Sequence, residues 1–311
     1  MRRFSHFAYV IVVALLAPIS WAASLTNVDE AGLGNFGTSS QRNAALGTNG
    51  PFDCAPTSTV NSFAYLQSRY GVTGLVDPNP YDTINKLAGP TYMNVQPAIQ
   101  GALPSGIVRG KNRAINEYNA AHPNQPLAVE GQVVPGNTIP ANQINPLLAA
   151  DLSLAGTQHG MQSATPSIDF LHDELAKGQD IELGILWFDA AKGVYAGGHV
   201  VTATGLFNAD DTSNTGTLDF VDPWGSTTMA ASLIGSITGL HNGMMQLQFS
   251  GGSAGAAGDP DNFDSVGTAD IAFVIAESPL PLPSSVWAGL LLFGMVAAAG
   301  SFNRFKAVHF V

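Results

Sequence analysis

The alternation of apolar and polar positions changes rhythm several times along this chain, and the changes predict its elements. Residues 23–50, "ASLTNVDEAGLGNFGTSSQRNAALGTNG", hold no sustained apolar period and read as an extended lead-in. From Pro56 the rhythm becomes helical. Val60, Phe63, Ala64 and Tyr70 fall on helical spacing, and Gly71 is placed to stop the helix. Cys54 therefore sits at or just before the first turn. Between 72 and 165, Pro and Gly punctuate the chain. "YDTINKLAG" (81–89) and "KNRAINEYNAAH" (111–122) read as short helices, and "QPLAVEGQVV" (125–134) as a strand, single or paired.

The clearest stretch is 166–222. Thr165 is an N-cap candidate, Pro166 suits the first helical position and Gly178 the stop, with Ile168, Leu171 and Leu175 as the apolar face. Strands follow at "DIELGILWF" (180–188), "GHVVTATGLF" (198–207) and "TLDFVD" (217–222), the last two joined by a polar hairpin loop. "MMQLQF" (244–249) and "TADIAFVIA" (268–276) add further strands. The expected class is α+β, with an N-terminal helix carrying Cys54 packed on an antiparallel sheet that carries His199 and Asp222.

The two ends change the picture of where the protein works. Arg2 and Arg3, an apolar run to Ile19, and Ser20–Trp21–Ala22 form a secretory signal over residues 1–22, with an uncleaved anchor as the alternative. At the other end, Pro279 to Pro283 precede an apolar segment, 286–302, and then Arg304 and Lys306. That tail, 279–311, resembles the PEP-CTERM sorting signal of Gram-negative bacteria, with Leu where the motif has Glu. The resemblance implies transient membrane anchoring, cutting by an exosortase-type partner, and delivery to the cell surface or extracellular matrix. An ordinary tail anchor is the alternative.

Composition narrows the partners. Without Arg2, Arg3, Arg304 and Lys306, 8 basic residues face 23 acidic ones, a net charge of −15. Such a surface repels phosphate backbones, so no nucleic-acid partner is expected. The roughly 255 residues between the ends suffice for one large domain, taken as 51–278. No zinc-ligand spacing and no phosphate-cradling Gly loop stand in the chain, so no metal or cofactor is expected. The acidic loop "GDPDNFDS" (258–265) reads as solvated, with calcium through Asp259, Asp261 and Asp264 as the lesser reading.

Cys54 is the only cysteine, in a chain bound for a compartment that permits disulfides. It is either an inert buried thiol or a nucleophile. A helix N-terminus and a nearby imidazolium both favour the thiolate. Of seven histidines, His6 and His309 lie in the removable ends. His122, His159, His172 and His241 lack a carboxylate in a matching strand. His199 opens an apolar strand after two glycines, and Gly198 lets a backbone or substrate come close. Asp222, 23 residues later at the end of the next strand, can orient that imidazole. Trp224 is placed to shield the pair from water.

"DCAPTSTVNSFAYL", "LAKGQDIELGI", "GGHVVTATG" and "DFVDPWG" together resemble the cysteine peptidase domain that removes double-glycine leaders from bacteriocins, within the papain-like superfamily. The 145-residue spacing from Cys54 to His199 suits that superfamily. The resemblance implies a papain-like fold, a peptide or protein substrate, and Cys54, His199 and Asp222 as nucleophile, base and orienter. Ala55 departs from the family's Gly. Thr48 stands where the family has an oxyanion-binding Gln, with Asn49 one residue off and Gln41 much further upstream. Either Asn49 supplies the oxyanion donor, or the protein is a weak or inactive relative acting as a surface or biofilm-matrix binding module.

Overall fold

The computed structural model describes residues 25–97, 101–225, 229–249 and 267–280. The expected leader, the acidic loop and the sorting tail beyond Leu280 lie outside the described residues. In chain order, β1 (Val28–Asp29) and a 3-10 segment (Ala44–Phe52) lead to α1 (Cys54–Tyr70), α2 (Pro80–Ala88), α3 (Pro104–Ala121) and β2 (Leu127–Val133). Next come α4 (Pro146–Ala155), β3 (Met161–Ser163) and α5 (Ile168–Ala176). Then β4 (Asp180–Asp189), β5 (Val194–Asp210), β6 (Thr215–Asp222), β7 (Ala231–His241), β8 (Met244–Phe249) and β9 (Gly267–Pro279) follow in succession.

The local reasons are plain. Gly71 stops α1 by taking a left-handed φ of 65°. Proline opens α2, α3 and α4, where a missing N–H costs nothing. Ser167, rather than Thr165, caps α5 by accepting from the Phe170 N–H at 3.1 Å.

The strands do not form an open sheet. β4 to β9 pair antiparallel in succession and β9 pairs back onto β4, so six strands close a barrel. β1 adds to β5, and β2 and β3 extend outward from β9. The α+β expectation of a helix laid on a papain-like antiparallel sheet is overturned by this closure. Two physical features produce it. Register shifts at Trp187/Phe188, Gly184/Ile185, Ala203/Gly205 and Ile237/Leu240 bend and twist the strands. Then β7, whose mixed polar pattern gives no strand rhythm, supplies the member through which β6 reaches β8 and closes the ring.

The barrel divides the core in two. Ile181, Leu183, Ile185, Val201, Ala203 and Phe220 belong to a cluster on its inner face. Val60, Phe63, Leu66, Ile107, Phe273 and Ile275 fill the space between the helices and the outer face. Helix α1 lies in the middle of that layer and is buried almost all round from Ala55 to Phe63. Its small polar residues therefore face backbone at close range. Ser58 Oγ donates to the Val200 carbonyl at 2.7 Å, and Thr202 Oγ1 donates to the Ser58 carbonyl at 3.0 Å. The Asn61 side chain exchanges two hydrogen bonds with the backbone of Ser39, so the lead-in is bound to α1.

A buried ionic cluster ties α3 to the barrel. Lys111 pairs with Glu182 of β4 and Glu277 of β9, all three side chains being inaccessible. Asp180 accepts from Ser62 Oγ at 2.7 Å. Burial lowers the Lys111 pKa and raises those of Asp180 and Glu277, with the mutual charges working against burial at Lys111 and Glu277.

Candidate active site

His199 stands opposite Ile185 in the β4–β5 ladder, so its ring shares the inward face of the barrel. Along β6, Leu218, Phe220 and Asp222 are the buried, inward positions. The two side chains meet at one end of the barrel. His199 Nε2 lies 2.8 Å from Asp222 Oδ1, and neither side chain is accessible to solvent. The Trp224 backbone N–H donates to the same Oδ1 at 2.8 Å, which fixes the carboxylate from a second direction. With Nε2 committed to Asp222, the ring nitrogen left for other work is Nδ1.

The Cys54 thiol lies close enough to the His199 ring to help raise its pKa. Cys54 as a residue is only partly buried. Burial alone favours the neutral imidazole. The charge and hydrogen bond of Asp222, and then the Cys54 thiol, outweigh it and hold the His199 pKa well above its ordinary value. The fold thus gathers thiol, imidazole and carboxylate at one place.

No protein-family model matches the chain, and no curated protein matches its sequence. The functional reading therefore rests on this geometry and on the motifs.

Asp53 precedes Cys54 at the cap position of α1 without making a side-chain cap bond. It is buried, both carboxyl oxygens lack a hydrogen-bond partner, and burial pushes its pKa up to about 7. Near neutral pH it is divided between its two forms.

The other expected residues fall as follows. Asn49 is exposed on the 3-10 segment, as is Thr48. Gln41 is the amide that the fold brings to the nucleophile loop. It is fully buried, its Nε2 donates to the Pro51 carbonyl at 2.9 Å, and its backbone N–H donates to the Pro223 carbonyl at 3.0 Å. One residue thereby joins the loop before Cys54 to the turn after Asp222. Gly197 and Gly198 are exposed beside the buried His199. A side chain at Gly198 would meet the Ile185 carbonyl at 2.9 Å, so the close backbone approach there is real. Trp224 is buried, and its contribution to the pair is its backbone N–H. The indole beside the imidazole belongs to Trp187, stacked at 6.3 Å with an interplanar angle of 21°. The signal for Trp187 was its position in β4, two residues beyond the Ile185 that faces His199.

A second His–carboxylate pair was missed by sequence reasoning. His241 Nδ1 lies 2.6 Å from Asp270 Oδ2, and Tyr195 donates to the same oxygen. His241 does have a carboxylate partner on a nearby strand. The pairing was hidden because β7, which ends at His241, gave no strand rhythm. As for metals, the carboxylate oxygens of Asp180, Glu182 and Glu277 lie within 4.8 Å of one another. The Lys111 ammonium sits among them and takes the place a cation would have.

Proposed function

We propose that this protein is a cysteine hydrolase or acyl transferase that opens a peptide or amide bond through Cys54, His199 and Asp222. The observation that carries the reading is the buried His199 ring, hydrogen-bonded on one nitrogen to Asp222, with the one thiol in the chain near enough to act on its pKa. Cys54 Sγ attacks the substrate carbonyl carbon and His199 takes the thiol proton. The imidazolium then gives that proton to the leaving amine as the C–N bond breaks. Water, or another amine, releases the acyl group from sulfur. Asp222 keeps the ring in the required tautomer and orientation.

The developing oxyanion falls at the N-terminal end of α1. Pro56 has no N–H and Asp53 does not cap the helix, so the first-turn donors are the backbone N–H groups of Cys54 and Ala55. The buried Gln41 amide is better placed than Asn49 to support that end. The open backbone at Gly197–Gly198 favours an extended peptide as substrate. Action outside the cytoplasm, with sorting to the cell surface by an exosortase-type enzyme, is the reading supported by residues 1–22 and 279–311. The likeness to leader-cleaving peptidases is thus carried over as chemistry alone.

The test is turnover. The purified full chain is offered a library of fluorogenic peptides and amides, alongside its Cys54→Ser variant. Hydrolysis lost in the variant supports the reading. Hydrolysis that survives in Cys54→Ser, or none in either protein, overturns it.

A further inference from the structure

The eight basic residues between the two expected cut ends are unevenly spread. Lys86, Arg109 and Arg113 gather on the outer surface of α2 and α3. Arg109 and Arg113 are one helical turn apart and exposed. They line an open groove of about 590 Å³ together with Asn112, Asn116 and Gln158. That volume is in the range of small-ligand sites.

One buried residue organises all three cations. The Tyr92 carbonyl accepts from Arg109 Nε at 3.3 Å and Nη2 at 3.2 Å. The face of its ring lies under the Arg113 guanidinium at 5.1 Å and the Lys86 ammonium at 5.3 Å. Its hydroxyl donates to Glu117 Oε2 at 2.6 Å. Glu117 is the single acid of the groove. It is held by that hydrogen bond and by Arg113 and Lys86, which draw its pKa down to about 2. It stays ionised and cancels one of the two guanidinium charges that line the groove. One positive charge remains in excess there, with Lys86 beside it outside the lining, in a protein that is otherwise strongly acidic. Fixing these side chains before binding removes part of the entropic cost of capturing a ligand.

We infer that this groove is a binding site for an acidic saccharide, one whose carboxylates are separated by neutral hydroxylated rings. A planar guanidinium matches a carboxylate through paired N–H donors. The amides of Asn112, Asn116 and Gln158 offer the mixed donors and acceptors that sugar hydroxyls require. The lining has no large apolar side chain, which disfavours a lipid surface or an apolar peptide. The net charge of −15 disfavours a uniformly charged polyanion such as nucleic acid. The groove is built from α3, away from the Cys54–His199 site, and its occupation does not depend on catalysis.

The experiment is calorimetric titration of the full chain with trigalacturonate, maltotriose and a short single-stranded DNA, at low and at physiological salt. Trigalacturonate is expected to bind, and maltotriose and DNA not to. Arg113→Gln with Asn116→Asp, both at exposed positions, is expected to weaken binding at least tenfold while Tm is unchanged. Cys54→Ala is expected to bind as the parent does. No trigalacturonate binding at low salt, equal binding of maltotriose, preferred binding of DNA, or unchanged affinity in the double variant would each overturn the inference.

Discussion

Ser58 Oγ donates to the carbonyl of Val200 at 2.7 Å, and this bond sets how the nucleophile meets its base. Ser58 lies one turn after Cys54 on α1, and Val200 is the residue after His199 on β5. The bond is buried, so it ties the two carriers at a fixed separation where water cannot substitute. Ser58→Ala removes this buried bond, at a cost of about 0.5–1.5 kcal/mol. Chemical denaturation should show that loss, and Cys54 alkylation should slow because the thiol and ring lose alignment.

Asp222 holds the His199 pKa up against burial. Asp222→Asn keeps the shape and removes the charge, so burial then draws the imidazole pKa down. The alkaline limb of Cys54 reactivity, where the imidazolium is lost, should move to lower pH in the variant. A limb that stays in place would deny Asp222 this role.

Much of this was open to reading from the chain itself, and some was not. His199 and Asp222 lie on strands with clean apolar rhythm joined by a short polar loop, so their adjacency follows from antiparallel pairing. Gln41 was not legible as a site residue, because a kink at Gly47 (φ 61°, ψ −142°) returns the chain so that Gln41 lies against Pro51. Linear spacing pointed instead to Asn49. The closed barrel was hidden for a different reason. It depends on bulges and on β7, "ASLIGSITGLH", in which serine, threonine and glycine break the alternation.

Gln41→Ala removes the amide that joins the Pro51 loop to the Asp222 side of the site. The Pro51 carbonyl, on an exposed residue, loses its donor, and about 0.5–1.5 kcal/mol of stability should go with it. If the amide also supports the oxyanion, turnover should fall by about 10²-fold or more with little change in KM. Asn49→Ala, at an exposed position, should leave both quantities nearly unchanged.

Lys111→Met leaves Glu182 and Glu277 without their cation inside the fold. Removing one partner of a buried ion pair costs about 3–5 kcal/mol. Urea denaturation should show a loss of that order, smaller at low pH where the carboxyls are protonated.

Stability should also fall as pH rises through neutrality. Burial pushes Glu30 up to about 8, against the hydrogen bond from the Tyr65 hydroxyl. The folded chain therefore keeps a proton that the unfolded chain releases from about pH 4.5 upward. Raised folded pKa values place the stabilisation below the unfolded value and lose it as pH climbs to the folded one. Asp53, at about 7, acts in the same direction. Glu30→Gln keeps an acceptor for Tyr65, so its Tm should depend less on pH between about 5 and 8 than that of the parent.

The most direct measurement is the rate at which iodoacetamide labels Cys54, followed by mass spectrometry across pH in the parent and in His199→Ala. The sole cysteine makes the readout unambiguous. A thiol in proton-sharing contact with His199 should react readily near pH 6, at least about tenfold faster than in His199→Ala. Equal rates in the two proteins, both rising with pH as an isolated thiol does, would contradict the assignment of Cys54 and His199 as a catalytic pair.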